Sequence, residues 1–215
     1  MNEQLPFDAV LCDFDGVVHL WDPDGMSALD RSWGLAEGTL ARAAFRTELL
    51  DAAVTGRLTD EQWREQVAAD LAGACGGKEQ AQALVGAWSA QTGRVDAEVM
   101  ELLAAVRRVV PVVLVSNATT RLEATLASHG LSDAFDSVVN TARVGAAKPD
   151  PRVFAEAARR ARAEPNRCLF VDDTAGHVTA AREAGLTGLH YQHPGQLQEA
   201  VTGLLPSAPR APRPA

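Results

Sequence analysis

Two aspartates one residue apart, Asp13 and Asp15, stand where an apolar run ends: FDAVLC, from Phe7 to Cys12, gives way to Asp13-Phe14-Asp15-Gly16. Asp172 and Asp173 close a second apolar run, CLFV, and Ser116-Asn117 closes a third, VVPVVLV. None of the four aspartates has a basic residue close by in sequence. Clustered carboxylates repel one another unless shared protons or a cation intervene, so a bound divalent metal would account for them. Oxygen-only donors suit a hard ion, and Mg²⁺ takes one or two carboxylates while keeping waters and substrate oxygens. Taken singly, each aspartate reads as readily as a helix cap or an Asx-turn, and Asp173 or Thr174 is placed to cap the segment that follows.

Two further polar residues belong with these. Lys148-Pro149 follows a small, flexible run, VGAA, and the proline restricts the backbone that would aim the lysine's charge. Ser116 is placed either to cap the next helix or to donate to an anionic oxygen beside exposed backbone N–H groups.

The elements that must position these residues alternate. Short apolar strands are expected at Phe7–Cys12, Val109–Val115, Ser137–Val139, Cys168–Val171 and Gly188–Tyr191. Helical spacing separates them. Val95, Val99, Leu102, Leu103 and Val106 mark one helix and Thr120–His129 a second. Asp150-Pro151 starts a third, and Thr174–Ala184 is the fourth. This rhythm predicts an α/β fold, a Rossmann-like parallel sheet with helices on both faces, whose ligands bind beyond the carboxyl ends of the strands. From His19 to Gly93 the rhythm breaks into helical segments with no convincing strand, including a capping box at Thr59-Asp60-Glu61-Gln62. The expected organisation is a core of residues 1–18 and 94–205, an all-helical insertion at 19–93 and a Pro-rich, unpacked tail at 206–215. All four tryptophans, Trp21, Trp33, Trp63 and Trp88, fall in or at the edge of the insertion, where they are expected to pack the bundle; the alternative is that one or two line a pocket that faces the sheet.

In order, DFDGVV, a helical insertion, VVLVSNAT, VGAAKPDPRVF and CLFVDDTAGHVTAAREAGL resemble the four motifs of the haloacid dehalogenase-like superfamily, over nearly the whole chain. The insertion is similar to the helical cap of that family's subgroup I, and GRLTDEQW within it to a turn of its sugar-phosphate phosphatases. The resemblance implies a Mg²⁺-dependent phosphatase acting on small phosphomonoesters, sugar phosphates included. It implies that Asp13 attacks phosphorus and that Asp15 protonates the leaving oxygen and then activates water. Ser116 would bond a phosphoryl oxygen, with Asn117 beside it at the substrate, and Lys148 would neutralise charge and steady Asp13. The metal would be held by Asp13, Asp173 and the backbone carbonyl of Asp15, with Asp172 acting through water or by orienting its neighbours. His19 and Trp21 sit where relatives place a flap near the leaving group. The chain departs from the pattern at His177, where many relatives carry an asparagine that supports the last motif by hydrogen bonding.

Related activities remain open at this stage. A haloacid dehalogenase uses the first aspartate without metal and typically lacks an acid two residues on, whereas Asp15 is present here. A phosphomutase shares the same core, and a non-catalytic phosphate-binding protein shares the fold. Arg42, Arg46 and Trp63 are the candidates for specificity contacts from the insertion.

The whole composition sets outer bounds. A formal charge of -8 with no basic block argues against nucleic acid or an anionic membrane as partner, and 47% apolar residues suffice for a real core. Three cysteines without metal spacing, Cys12 and Cys168 inside apolar runs, and an N-terminus without a leader pattern lead to the expectation of a reducing, cytoplasmic setting. Either a monomer or a homodimer is compatible with this.

Overall fold

A computed structural model describes residues 5–205; the tail expected at 206–215 lies outside them. The strands are β1 (Ala9–Cys12), β2 (His19–Leu20), β3 (Arg94–Val95), β4 (Val112–Ser116), β5 (Ser137–Asn140), β6 (Cys168–Asp172) and β7 (Thr187–His190). Helices α1 (Gly25–Ser32), α2 (Thr39–Ala44), α3 (Thr47–Val54), α4 (Asp60–Leu71) and α5 (Lys78–Ser89) precede β3. After it come α6 (Ala97–Arg107), α7 (Leu122–Ser128), α8 (Thr141–Val144), α9 (Pro151–Ala161), α10 (Ala175–Glu183) and α11 (Pro194–Val201).

Five strands form one parallel sheet in the order β5-β4-β1-β6-β7. Because strand side chains alternate, each strand feeds two cores. Val10, Cys12, Val112, Leu114, Leu169 and Val171 join Val99 and Leu103 of α6 and Leu197 of α11 on one face. Ala9, Leu11, Val113, Val115, Cys168 and Phe170 join Val153, Phe154 and Ala157 of α9 on the other. Burial on both faces explains why these strands read as continuous apolar runs. Helices α1 to α5 bury a third cluster of their own around Leu40, Trp63, Val67, Leu71 and Leu84. Cys12, Cys75 and Cys168 are free thiols, the first and last buried.

Local signals in the sequence account for several boundaries. Thr59 and Gln62 form the reciprocal capping box that starts α4. The Asp150 side chain caps α9 through Arg152 N, with Pro151 at the first helical position.

Three expectations are corrected. The stretch 19–93, expected to contain no strand, opens with β2, whose His19 and Leu20 pair antiparallel with Val95 and Arg94 across the two ends of the insertion. Two residues are too few to show a period. Val95, counted on a helical face, is therefore in β3, and α6 starts only after Asp96, which caps Glu98 N and Val99 N. The strand expected from Val109 begins at Val112, because Val109 and Val110 still donate to Val106 O of the helical turn and Pro111 has no N–H to offer.

Candidate active site

The pairing of β1 with both β4 and β6 puts Cys12 level with Leu114 and Val171. One residue further on, the chain leaves the sheet at Asp13, whose N–H donates to Val171 O at 2.9 Å. Asp13 is buried; its Oδ1 accepts from Phe14 N at 2.7 Å and lies 2.9 Å from Lys148 Nζ. Its Oδ2 has no partner among the described residues.

The Lys148 ammonium is enclosed between strands. It donates to Asp172 Oδ2 at 2.6 Å and to Val115 O at 3.1 Å, besides its contact with Asp13. Asn117 holds it there: its amide donates to Lys148 O at 2.9 Å and accepts from Lys148 N at 2.8 Å. The side chain expected at the substrate is thus spent on the lysine's backbone. Asp172 points inward, with Oδ1 accepting from Thr174 N at 2.8 Å and His177 Nδ1 3.1 Å from both its oxygens. His177 thus hydrogen-bonds the aspartate that ends β6. Thr174 is the N-cap of α10 but makes no side-chain cap bond; its N–H donates to Asp172 Oδ1 in an Asx-turn just ahead of the helix.

Electrostatics separate the two buried carboxyls that share this lysine. Burial, opposed by Lys148 and reinforced by the Asp172 charge, pushes Asp13 up to about 8. Burial also works against Asp172 as an anion, but hydrogen bonding from His177 and the charge of Lys148 prevail and hold it well below the usual carboxylate range. Burial likewise disfavours the ammonium, yet Asp13 and Asp172 keep Lys148 above its ordinary value.

Asp15 faces out, its side chain 46% exposed. The chain turns back on itself after Phe14, with Gly16 N donating to His19 O and His19 N to Phe14 O, both at 2.8 Å. That turn brings His19 Nδ1 and Trp21 Nε1 each to 2.8 Å from Asp15 Oδ1, leaving Oδ2 without a described partner. The His19 ring is fully buried, stacked on Phe14 at 4.8 Å and met edge-on by Trp21 at 4.6 Å. His19 and Trp21 therefore hold Asp15, and only Trp21 reaches the cavity wall.

Asp173 sits at the rim. A Cβ on Gly16, whose φ is +83°, would come within 2.1 Å of Asp173 Oδ2, so only glycine allows the carboxylate to lie over this turn. Ser116 is buried at the end of β4 and lines the cavity, with no side-chain hydrogen bond to a described residue.

The donor set fits a hard divalent cation. Asp13 Oδ2, the Asp173 carboxylate and the Asp15 carbonyl, which accepts no hydrogen bond from described residues, are all oxygens beside one cavity. Four aspartates face one lysine, leaving a surplus of negative charge for the ion to offset. Asp13, Asp172 and His177 also approach one another within 4.8 Å. That grouping is filled by the Lys148 ammonium, which bonds both aspartates, so a metal there would have to displace an existing cation.

The cavity has a volume of about 730 Å³. Its sheet side is lined by Asp13, Asp15, Ser116, Asn117 and Asp173; the other side is Leu20, Trp21 and Phe45. Arg42, Arg46 and Trp63 do not line it. Arg42 donates to Thr39 Oγ1, Arg46 pairs with Asp70 at 3.2 Å, and Trp63 is buried with Nε1 donating to Ala44 O. Phe45 lies between the two arginines in sequence and carried no signal of its own, because its place is set by how the helical unit sits on the sheet.

The seating of that unit was also not read from sequence. Thr119 Oγ1 donates to Asp60 Oδ1 at 2.7 Å, Asp60 N donates to Thr120 Oγ1 at 2.9 Å, and Arg64 Nε reaches Asp60 Oδ2 at 2.6 Å. Asp60 is buried where the turn before α4 meets the loop after β4. Among the described residues no helix is long and apolar enough to cross a membrane.

A family model described as haloacid dehalogenase-like hydrolase matches residues 7–185. The mouse haloacid dehalogenase-like hydrolase domain-containing protein 3 is 43% identical over 68 residues, 32% of this chain and 27% of that one. A phosphatase of Mycobacterium tuberculosis is 38% identical over 71 residues, 33% of each chain. The matches thus span at most a third of these curated relatives. A HAD family enzyme of Bacteroides thetaiotaomicron, solved as a magnesium complex, shares the fold with a TM-score of 0.70 at 19% identity, over 87% of this chain and 94% of that one. The match over residues 7–185 and the buried aspartate–lysine–aspartate arrangement at the carboxyl end of a parallel sheet agree: the chain belongs to the haloacid dehalogenase-like hydrolase family.

Proposed function

We propose that the chain is a Mg²⁺-dependent phosphatase that hydrolyses small phosphomonoesters through a phosphate ester of Asp13. The observation that carries this reading is the division of labour between the two aspartates of the first motif. Asp13 is buried, with one oxygen fixed by Phe14 N and Lys148 and the other free at the cavity. Asp15 is half exposed, with one oxygen held by His19 and Trp21. The first suits a nucleophile and the second a proton carrier, and a dehalogenase has no need of the second.

In the first step Asp13 Oδ2 bonds to phosphorus as the ester P–O bond breaks, and Asp15 gives its proton to the departing oxygen. In the second, Asp15 takes a proton from water, whose oxygen displaces Asp13 from phosphorus and releases inorganic phosphate. Ser116, its hydroxyl otherwise without a partner, would bond a phosphoryl oxygen, and Lys148 would fix the angle of Asp13. Asp13, Asp173 and the Asp15 carbonyl would hold Mg²⁺, which supplies positive charge that lets a carboxylate approach a phosphate. The helical unit would act as a cap over the cavity, excluding bulk water. The free cysteines are in keeping with a reducing, cytoplasmic setting.

The test is hydrolysis of p-nitrophenyl phosphate with and without Mg²⁺, by the wild type and by Asp13→Asn. Release that needs the metal and falls by at least about 1,000-fold in the variant is the expected result. Folded wild type that turns over no small phosphoester would remove the phosphatase reading and favour a mutase or a phosphate-binding protein.

A further inference from the structure

We infer that the leaving group this cavity accepts is flat, apolar and uncharged, as in an arylmethyl phosphate, and is neither a sugar nor a second phosphate. This deepens the phosphatase reading above and rests on it.

The first ground is position. Asp15, the residue that would protonate the leaving oxygen, has Trp21 Nε1 on its carboxylate at 2.8 Å. Whatever is attached to that oxygen must therefore lie against the indole. The hydrogen bond and the edge-on contact with buried His19 hold the ring in place before substrate arrives, so stacking on it costs little side-chain freedom. The second ground is the wall itself. Trp21 and Phe45, 51% and 50% exposed, are the two most exposed large apolar side chains among the described residues, and both line this cavity together with Leu20. Two aromatic rings left in water at one mouth gain most from an apolar, planar group that covers them.

The third ground is what that wall lacks. Leu20, Trp21 and Phe45 offer no side-chain hydrogen-bond partner for sugar hydroxyls besides the indole N–H already given to Asp15; the cavity's other polar groups, Asp15 Oδ2, Asp173 and Thr174 among them, belong to the sheet side, so hydroxyls brought against this wall would lose water without replacement. Nor does any lysine or arginine line the cavity among the described residues. In the helical unit Arg31, Arg46, Arg57 and Arg64 are each paired with a carboxylate of that unit. Lys148 is committed to two aspartates below the floor. Asp15 and Asp173 at the rim would repel a second anionic group, which also disfavours a bisphosphorylated mutase intermediate.

The test compares kcat/KM for 2-naphthylmethyl phosphate with that for glucose 6-phosphate, both esters of primary alcohols, with Mg²⁺ present. The wild type is expected to prefer the naphthylmethyl ester by about tenfold or more, and Phe45→Ala to cut that ratio severalfold, chiefly through KM. Phe45 is half exposed, so its loss leaves no sealed cavity, and a thermal melt verifies the fold. As a reading separate from turnover, 2-naphthylmethylphosphonate should bind Asp13→Asn by calorimetry more tightly than methylphosphonate does. Equal or reversed preference, or a ratio untouched by Phe45→Ala, overturns the inference while metal-dependent, Asp13-dependent hydrolysis leaves the phosphatase reading standing. No hydrolysis of either ester or of p-nitrophenyl phosphate overturns both.

Discussion

At the scale of single residues the site turns on one ammonium shared by two buried carboxyls. Lys148 neutralises Asp172 permanently and Asp13 conditionally, and removing it leaves both without their cation in an interior that cannot solvate them. Lys148→Met is expected to lose about 3–5 kcal/mol of stability in denaturant titrations without metal, as found when buried pairs are broken. Adding Asp172→Asn should recover part of that loss, and unchanged stability in the single variant would show the pair to be idle. His19 acts differently, since it touches Asp15 and not the cavity. His19→Ala should lower kcat by roughly 10- to 100-fold with little change in KM, because Asp15 loses one of two donors that fix its carboxylate. A rise in KM alone would instead place His19 at the substrate.

At the scale of elements, the helical unit meets the sheet domain through the β2–β3 ribbon and through a buried polar contact at Asp60. Asp60 opens α4, yet its carboxylate accepts from Thr119 beyond β4 and from Arg64 in its own helix. Gly56, just before it, has φ +74°, and a Cβ there would lie 2.0 Å from Ala142 O of α8, so the turn rests directly on core backbone. Asp60→Ala is expected to cost about 1–3 kcal/mol and to speed amide exchange across α3 and α4 ahead of the sheet. Uniform loss of protection over both units would mean that they unfold as one. Phe45 belongs to this scale as well: it follows α2, and the seating of the unit on the sheet is what brings it to the cavity.

At the scale of the whole molecule, an acidic chain gathers four aspartates at one end of its sheet, and a bound cation should stabilise the entire fold. With Asp13 pushed up to about 8, the metal-free protein holds a proton there at lower pH, and a cation must displace it. Mg²⁺ binding should strengthen as pH rises through the range in which Asp13 gives up that proton. The increase in Tm given by a fixed Mg²⁺ concentration should therefore be smaller at pH 6 than at pH 8.5. An increase independent of pH would show that Asp13 is already ionised or lies outside the metal's reach.

The sequence by itself determined the class of fold, the order of its strands along the chain and which short segments end at the cavity. These depend on neighbours a few residues apart: apolar runs that end in aspartate, a capping box at Thr59, a proline after Asp150. It also placed a helical insertion after the first strand, though not β2, whose two residues are defined only by pairing with Arg94 and Val95. The tertiary structure alone decided which aspartate of each pair turns inward. Asp13 and Asp172 are buried on Lys148, while Asp15 and Asp173 face the cavity, because adjacent strands β1 and β6 set the register of partners some 160 residues apart. It likewise gave Asn117 to the backbone of Lys148, turned Arg42 and Arg46 away from the cavity and put Phe45 in their place. Helical and strand periods report burial against some partner. Which partner it is depends on the packing of distant segments, and no local pattern encodes that.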